Sequence, residues 1–146
     1  MTFTTNAPYA WGPEKVYHYS SDSTGFTTLP ITVETSERNS PIWPVITITP
    51  NINADTVGTR VPIIIRNSAD NNRQMEFALT KLRHTIDCQK AMISGPNGLV
   101  HFDDLGITDV GEIYWLRLYN GNNNLEISGE AEITIKFREP RKVGAY

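Results

Sequence analysis

Residues 132–138 read Glu-Ile-Thr-Ile-Lys-Phe-Arg, and this alternation of polar and apolar side chains decides the fold class of the chain. Ile133, Ile135 and Phe137 fall on one face of an extended strand, and the residues between them fall on the other face. A helix does not produce a two-residue period. The stretch therefore predicts a β-strand with one buried face and one solvated face.

Short runs of the same kind recur along the whole chain. β-branched and aromatic residues cluster in about nine stretches, separated by Gly, Pro, Asn and Asp, which is the pattern of an antiparallel sandwich or barrel. No segment keeps a 3.6-residue period for the length of a stable helix, so little helix is expected. The predicted strands are 16–19, 31–35, 45–49, 60–66, 74–79, 85–94, 99–102, 114–118, 125–127 and 133–137, where 85–89 and 90–94 are either parts of one strand or a strand pair.

The same patterns predict a shared core and three loops. Met75, Phe77 and Leu79 have the spacing of one strand face, so we expect them to pack in one core with the apolar face of residues 133–137. Gly, Asn and Pro are typical of turns, because Gly and Asn accept a positive φ and Pro fixes its own. Loops are therefore predicted at 95–98, 103–111 and 120–124.

Length and composition indicate one soluble domain of 146 residues, and the strand pattern makes it all-β, most simply a jelly-roll sandwich. We divide the chain into an N-terminal extension (1–13), a β-sandwich domain (14–139) and a C-terminal tail (140–146). No apolar run is long enough to cross a bilayer, and residues 1–10 do not resemble a secretory signal. We expect synthesis in a reducing cytoplasm, no membrane insertion and, with a single cysteine, no internal disulfide.

The charge balance argues against nucleic acid as a partner. The net charge is −3, and the basic residues are scattered, whereas binding to phosphates requires many concentrated Lys and Arg contacts. Arg138, Arg141 and Lys142 form a small basic cluster near the C-terminus. Such a cluster is either a solvated strand end or an electrostatic contact to a neighbouring subunit.

Candidate catalytic groups are sparse. His18, His84 and His101 fall in three different predicted strands without the spacing of a metal site. Cys88 has an acidic neighbour rather than a base that would lower the thiol pKa, so a buried, unreactive thiol is expected. The acidic residues of 103–111 lack the pattern of a calcium loop. We expect no enzyme activity, no metal and no cofactor.

Aromatic side chains are the candidates for a binding site. Flat rings supply a large contact area at low entropic cost, so exposed rings can anchor a protein interface or stack on a saccharide. Burial in the core is the alternative, and it is the preferred one for both tryptophans that lie in or beside strong strands. The candidate residues are Tyr9, Trp11, Trp43, Trp115 and Tyr119.

Four stretches, in order along the chain, resemble the C-terminal half of siphophage distal tail proteins. They are 6–9 (NAPY), 40–48 (SPIWPVITI), 84–89 (HTIDCQ) and 116–129 (LRLYNGNNNLEISG). The resemblance covers nearly the whole chain. It departs from the family pattern where glycines are replaced by Arg38-Asn39-Ser40 and by Pro50-Asn51, and the chain leaves no room for the N-terminal belt domain of that family.

The resemblance implies a galectin-like sandwich at the tip of a phage tail, binding other tail or baseplate proteins and carrying no catalytic residue. An excised domain and a small tail protein that reuses the fold both fit. Three functions remain open: a structural and interaction module in the virion tail, with homo-oligomerisation as one option; a module that binds host saccharide; and a small hydrolase or lyase. A flat exposed strand edge or an apolar patch favours assembly, whereas at least two exposed tryptophans or tyrosines in a concave face favour a saccharide. Buried carboxylates that converge in a cleft favour an enzyme.

Overall fold

The computed structural model describes residues 9–21, 25–34, 41–50, 61–79, 83–95, 98–99 and 114–142. Within these ranges the strands are β1 (Tyr9–Ser21), β2 (Phe26–Val33), β3 (Val45–Pro50), β4 (Val61–Asn67), β5 (Arg73–Leu79), β6 (His84–Asp87), β7 (Met92–Gly95), β8 (Gly98–Leu99), β9 (Gly121–Ser128) and β10 (Ala131–Lys142). The helical element in the described residues is one 3₁₀ turn, Ser68–Asp70.

The strands form two antiparallel sheets. One sheet has six strands in the order β1-β10-β3-β6-β7-β8, and the other has four in the order β2-β9-β4-β5. The inner faces of the two sheets bury one hydrophobic cluster between them. The expectation of an all-β antiparallel sandwich is therefore confirmed.

The core follows from the two-residue period of the strands. Ile135 on β10 lies directly opposite Ile46 on β3, and both side chains are fully buried. Met75 and Phe77 reach the same cluster from the four-stranded sheet, as predicted. The backbone of Leu79 lies in β5, but its side chain lies outside the described part of the chain.

The strand predicted at 114–118 is wrong. The predicted alternation is present, since Leu116 and Leu118 are buried, but the backbone of this segment makes one isolated bridge, from Leu118 to Ile42. Its polar groups are bonded instead by side chains, as where the Leu116 N–H donates to the sulfur of Met75 at 3.2 Å. An alternating pattern indicates which side chains are buried. Here the two leucines are buried although the backbone does not pair with a neighbouring strand in a ladder.

The loop predicted at 120–124 is also wrong. β9 begins at Gly121 and pairs with β2 over its whole length, from Gly121 opposite Val33 to Ser128 opposite Phe26. Asn123, in the middle of the predicted loop, is fully buried because its amide is hydrogen-bonded on both sides. Local turn propensity is outweighed by the ladder with β2 and by a long-range bond, in which the Asn67 side chain donates to Asn123 Oδ1 at 3.0 Å.

The hairpin predicted at 95–98 is confirmed by its pairing. Gly95 lies opposite Gly98 and Ser94 opposite Leu99, and Gly98 has a φ of 110°, which favours glycine. The predicted strand at 99–102 continues beyond Leu99 outside the described residues. The acidic loop predicted at 103–111 lies wholly outside them.

β1 forms an edge of the six-stranded sheet and is longer than predicted. It pairs with β10 from Tyr9 opposite Lys142 to Ser21 opposite Ala131, with a bulge between Trp11 and Glu14. In the described part of the chain β1 pairs with no other strand. The ladder thus joins residues on both sides of the predicted domain boundaries, and the division at 13 and 139 stays a prediction.

Candidate functional site

A groove opens on the outer face of the six-stranded sheet, at the end of β3 where the chain enters the strand. Ile46 and Ile48 point into the core, so Val45 and Thr47 alternate to the outer face, where both are half-buried. The groove has a volume of about 490 Å³ and is lined by Val45 and by residues of 41–43. This volume falls within the range of pockets that hold ligands or short segments of a partner.

Two backbone contacts position Trp43 at this groove. The N–H and C=O of Ile42 exchange hydrogen bonds with Leu118, both at 2.8 Å, and the C=O of Pro44 accepts from the Cys88 N–H at 3.2 Å. The chain is thereby held on either side of Trp43. The indole is half-buried and packs against the core while it lines the groove.

Arg117 lies beside the ring of Trp43. Its guanidinium carbon is 5.7 Å from the centroid of Trp43 and 5.8 Å from that of Tyr119, which are cation–π distances. The cation therefore lies close to both rings. It limits the positions that Trp43 can adopt at the groove.

Asp70 in turn holds Arg117. The guanidinium donates from Nε to Oδ2 at 2.9 Å and from Nη2 to Oδ1 at 2.7 Å, a bidentate pair. The hydrogen bonds with Asp70 raise the pKa of Arg117 above its ordinary value. Asp70 ends the 3₁₀ turn that Asn67 begins, where the Asn67 side chain accepts from the Ala69 N–H at 3.0 Å.

The groove also carries charge. Lys136 and Arg138 on β10 and Glu14 on β1 contribute to its lining, and Gln89 adds an amide. Glu14 lies opposite Arg138 in the ladder. Lys136 and Arg138 are both exposed, and neither forms an ion pair with another described residue.

The five predicted aromatic residues occupy different places. Trp43 lines the groove, and Tyr119 is half-buried, with its hydroxyl donating to Asp70 Oδ1 at 3.5 Å. Trp115 is half-buried against the core. The backbones of Tyr9 and Trp11 lie in β1, and their side chains lie outside the described part of the chain. The structure thus brings Trp43 and Tyr119 together through one arginine, and an interface or stacking role for the five stays a prediction.

Sequence reasoning missed several residues of this site. Asp70 and Arg117 are 47 positions apart, and no local motif links them. Lys136 has the spacing of an outer-face position on a predicted strand, whereas Glu14 lies outside the strand predicted at 16–19. Nothing in the sequence showed which strands were neighbours. Arg138 belongs to the basic cluster near the C-terminus, and the structure places it at the groove.

The groups considered for chemistry do not converge. His18 is exposed and hydrogen-bonded to Thr134 at 3.1 Å, whereas His84 is buried on β6. Cys88 is 2% exposed, and burial raises the pKa of its thiol to about 12, in agreement with the expected unreactive thiol. Where the chain is described, no group of three His, Cys, Asp or Glu side chains could hold a metal. His101 lies outside that part.

A family model described as the phage tail C-terminal domain matches residues 9–137. The chain belongs to this family. Comparison with curated protein sequences gives no significant match. No helix in the described ranges of this tail domain is long and apolar enough to cross a membrane.

Among solved structures the tail domain is similar to SPP1 Dit (gp 19.1), described as a paradigm of the hub adsorption apparatus in phages that infect Gram-positive hosts. The TM-score is 0.61 at 15% identity, over 92% of this chain and 49% of that chain. The likeness shows a shared fold, and the tail domain spans about half the length of SPP1 Dit. Together with the family match it confirms the resemblance to distal tail proteins and makes the chain a structural component of the virion tail.

Proposed function

We propose that this tail domain is a docking module, which holds a neighbouring tail or baseplate protein in the groove beside Trp43. The observation that carries the proposal is the position of that indole. It is held between two backbone anchors and next to Arg117, yet it faces the groove. An aromatic side chain that is already ordered loses little entropy when a partner binds, so it is suited to anchor an interface.

The surroundings of the groove favour assembly over the other two functions. A saccharide platform was expected to show at least two exposed tryptophans or tyrosines in a concave face, and Trp43 is the one such residue among the described lining residues. Hydrolysis of a glycosidic bond uses a pair of carboxylates. Glu14 is the one carboxylate among those lining residues. Neither alternative is therefore favoured by a specific observation.

The proposal is tested by a substitution that fills the groove with a larger side chain and changes neither the net charge nor the hydrophobic core. Val45→Trp places a further large ring on the groove floor, and Thr47→Trp places the same ring two residues along the same outer face, outside the lining. Both variant proteins should keep native melting temperatures, because neither position faces the core. Phage that encode each variant are then compared by electron microscopy of their tail tips.

The proposal predicts that Val45→Trp virions lack tail-tip structures that the parent and the Thr47→Trp virions retain. Complete tail tips in both variants would overturn it. Equal loss in both would also overturn it, because the effect would then be independent of the groove.

A further inference from the structure

The end of β10 concentrates positive charge on an otherwise acidic chain. Residues 136–142 read KFREPRK, and the whole chain has a net charge of −3. The one carboxylate in this stretch, Glu139, is fully buried. It accepts from the backbone N–H of Glu34 and forms an ion pair with Lys15 at 2.9 Å. Glu139 is therefore engaged inside the fold and does not neutralise the cations on the outer face.

Two of these cations reach the groove. Lys136 and Arg138 are exposed outer-face residues of β10, and both line the groove next to its apolar floor, to which Pro41, Trp43 and Val45 contribute. Glu14 opposes Arg138 and offsets one of the two charges. A cationic rim above an apolar floor remains, and Lys136 forms no ion pair with another described residue.

We propose that the groove binds a segment that carries both acidic and apolar side chains, contributed by a neighbouring tail protein. This inference rests on the proposed docking function and names the chemistry of its partner. Apolar side chains of the segment lie on the floor beside Trp43, while its carboxylates pair with Lys136 and Arg138. Complementary charge steers a partner to its site and excludes wrong partners, even where each exposed pair adds little affinity.

The apolar floor argues for a peptide over an acidic polysaccharide. Pro41 and Val45 offer no side-chain hydrogen-bond donor or acceptor, whereas sugar hydroxyls need such partners when water is removed from them. Gln89 supplies one amide to the lining, which suits a peptide backbone group.

The probes are a short peptide that alternates glutamate with leucine, its partner peptide with glutamine in place of glutamate, and polygalacturonate. Binding to the purified chain is followed by NMR through the indole N–H of Trp43. Arg138→Glu and Lys136→Glu reverse the groove charges one at a time. Arg83→Glu is the matched control. Arg83 is exposed and immediately precedes β6, whereas Val45 of the groove pairs with Asp87 at the other end of β6.

The glutamate peptide should bind about fivefold more tightly than the glutamine peptide, and either groove reversal should abolish this preference while Arg83→Glu keeps it. Equal affinity for the two peptides, a preference that survives both reversals, binding of neither peptide, or tighter binding of polygalacturonate would each overturn the inference. The virion test with Val45→Trp does not depend on these charges. If Val45→Trp virions lose their tail tips but the chain shows no preference for the glutamate peptide, the docking function is supported and only the acidic character of the partner is refuted.

Discussion

The side chain of Asn123 bonds both backbone groups of Tyr119. Its Oδ1 accepts from the Tyr119 N–H at 2.8 Å, and its Nδ2 donates to the Tyr119 C=O at 2.7 Å. The same amide also accepts from Asn67 at 3.0 Å, and Asn67 donates to the C=O of Arg117 at 2.7 Å. The side-chain amides of Asn123 and Asn67 therefore satisfy backbone groups of the 114–120 segment that a neighbouring strand would otherwise bond. This segment includes Arg117, which lies beside Trp43.

Replacing Asn123 by Leu should destabilise the domain by about 3 kcal/mol. The new side chain has a similar volume, but it leaves the N–H and C=O of Tyr119 and the buried amide of Asn67 without these partners. Asn124 is exposed on the same strand, so Asn124→Leu should change stability by less than about 0.5 kcal/mol. Urea unfolding measures both, and equal effects would contradict the role of the buried amide.

Removing Asp70 should cost more than removing a comparable carboxylate on the surface. Asp70→Ala leaves the guanidinium of Arg117, whose side chain is 22% exposed, without its bidentate partner, at a cost of about 2 kcal/mol. Glu126 also pairs with an arginine, Arg66, but both side chains are about one-third exposed. Glu126→Ala should therefore cost less than about 1 kcal/mol. Chemical denaturation measures the free energy of unfolding of both variants. A larger loss of stability for Glu126→Ala than for Asp70→Ala would refute the comparison.

The sequence predicted the parts of the fold in which burial and strand pairing coincide. The alternation at 133–137 and at 74–79 gave correct strands because one face of each lies on the core. It failed at 114–118, where leucines are buried without a ladder. It failed again at 120–124, where the long-range bonds of Asn123 outweigh turn propensity. The groove could not be predicted, because it joins Glu14, 41–45 and 136–138, whose proximity only the strand order reveals.

Ile135→Asp should unfold the domain. Ile135 is fully buried on β10 between β1 and β3, and a carboxylate placed there has no partner to offset its desolvation. The expected loss in the free energy of unfolding is comparable to the whole stability of a typical domain, about 5–15 kcal/mol. Thr134→Asp, one residue away on the outer face, should remain folded. Far-ultraviolet circular dichroism on heating separates the two, and a native-like melt for Ile135→Asp would show that the register is wrong.

Cys88 should resist alkylation in the folded protein. Burial raises the pKa of its thiol from 9.0 to about 12, so at about pH 8 almost no thiolate is present, and access is blocked as well. The preference for the neutral thiol stabilises the fold below pH 9 and is lost as the pH rises towards 12. Mass spectrometry after iodoacetamide treatment should show an unmodified chain in buffer and a fully modified chain in urea. Rapid modification in buffer would contradict the burial of this residue.

Cross-linking in assembled tails shows whether a neighbouring tail protein occupies the groove beside Trp43. Val45→Cys places a reactive thiol on the groove floor, and Thr47→Cys places one on the same outer face beyond the groove, while the buried Cys88 contributes no background. A short cross-linker that joins thiols to amines is added to intact virions, and the products are identified by mass spectrometry. If a partner docks in the groove, position 45, and not position 47, should be cross-linked to a different tail or baseplate protein. The absence of any cross-link from position 45, or a cross-link there only to another copy of this chain, would contradict it.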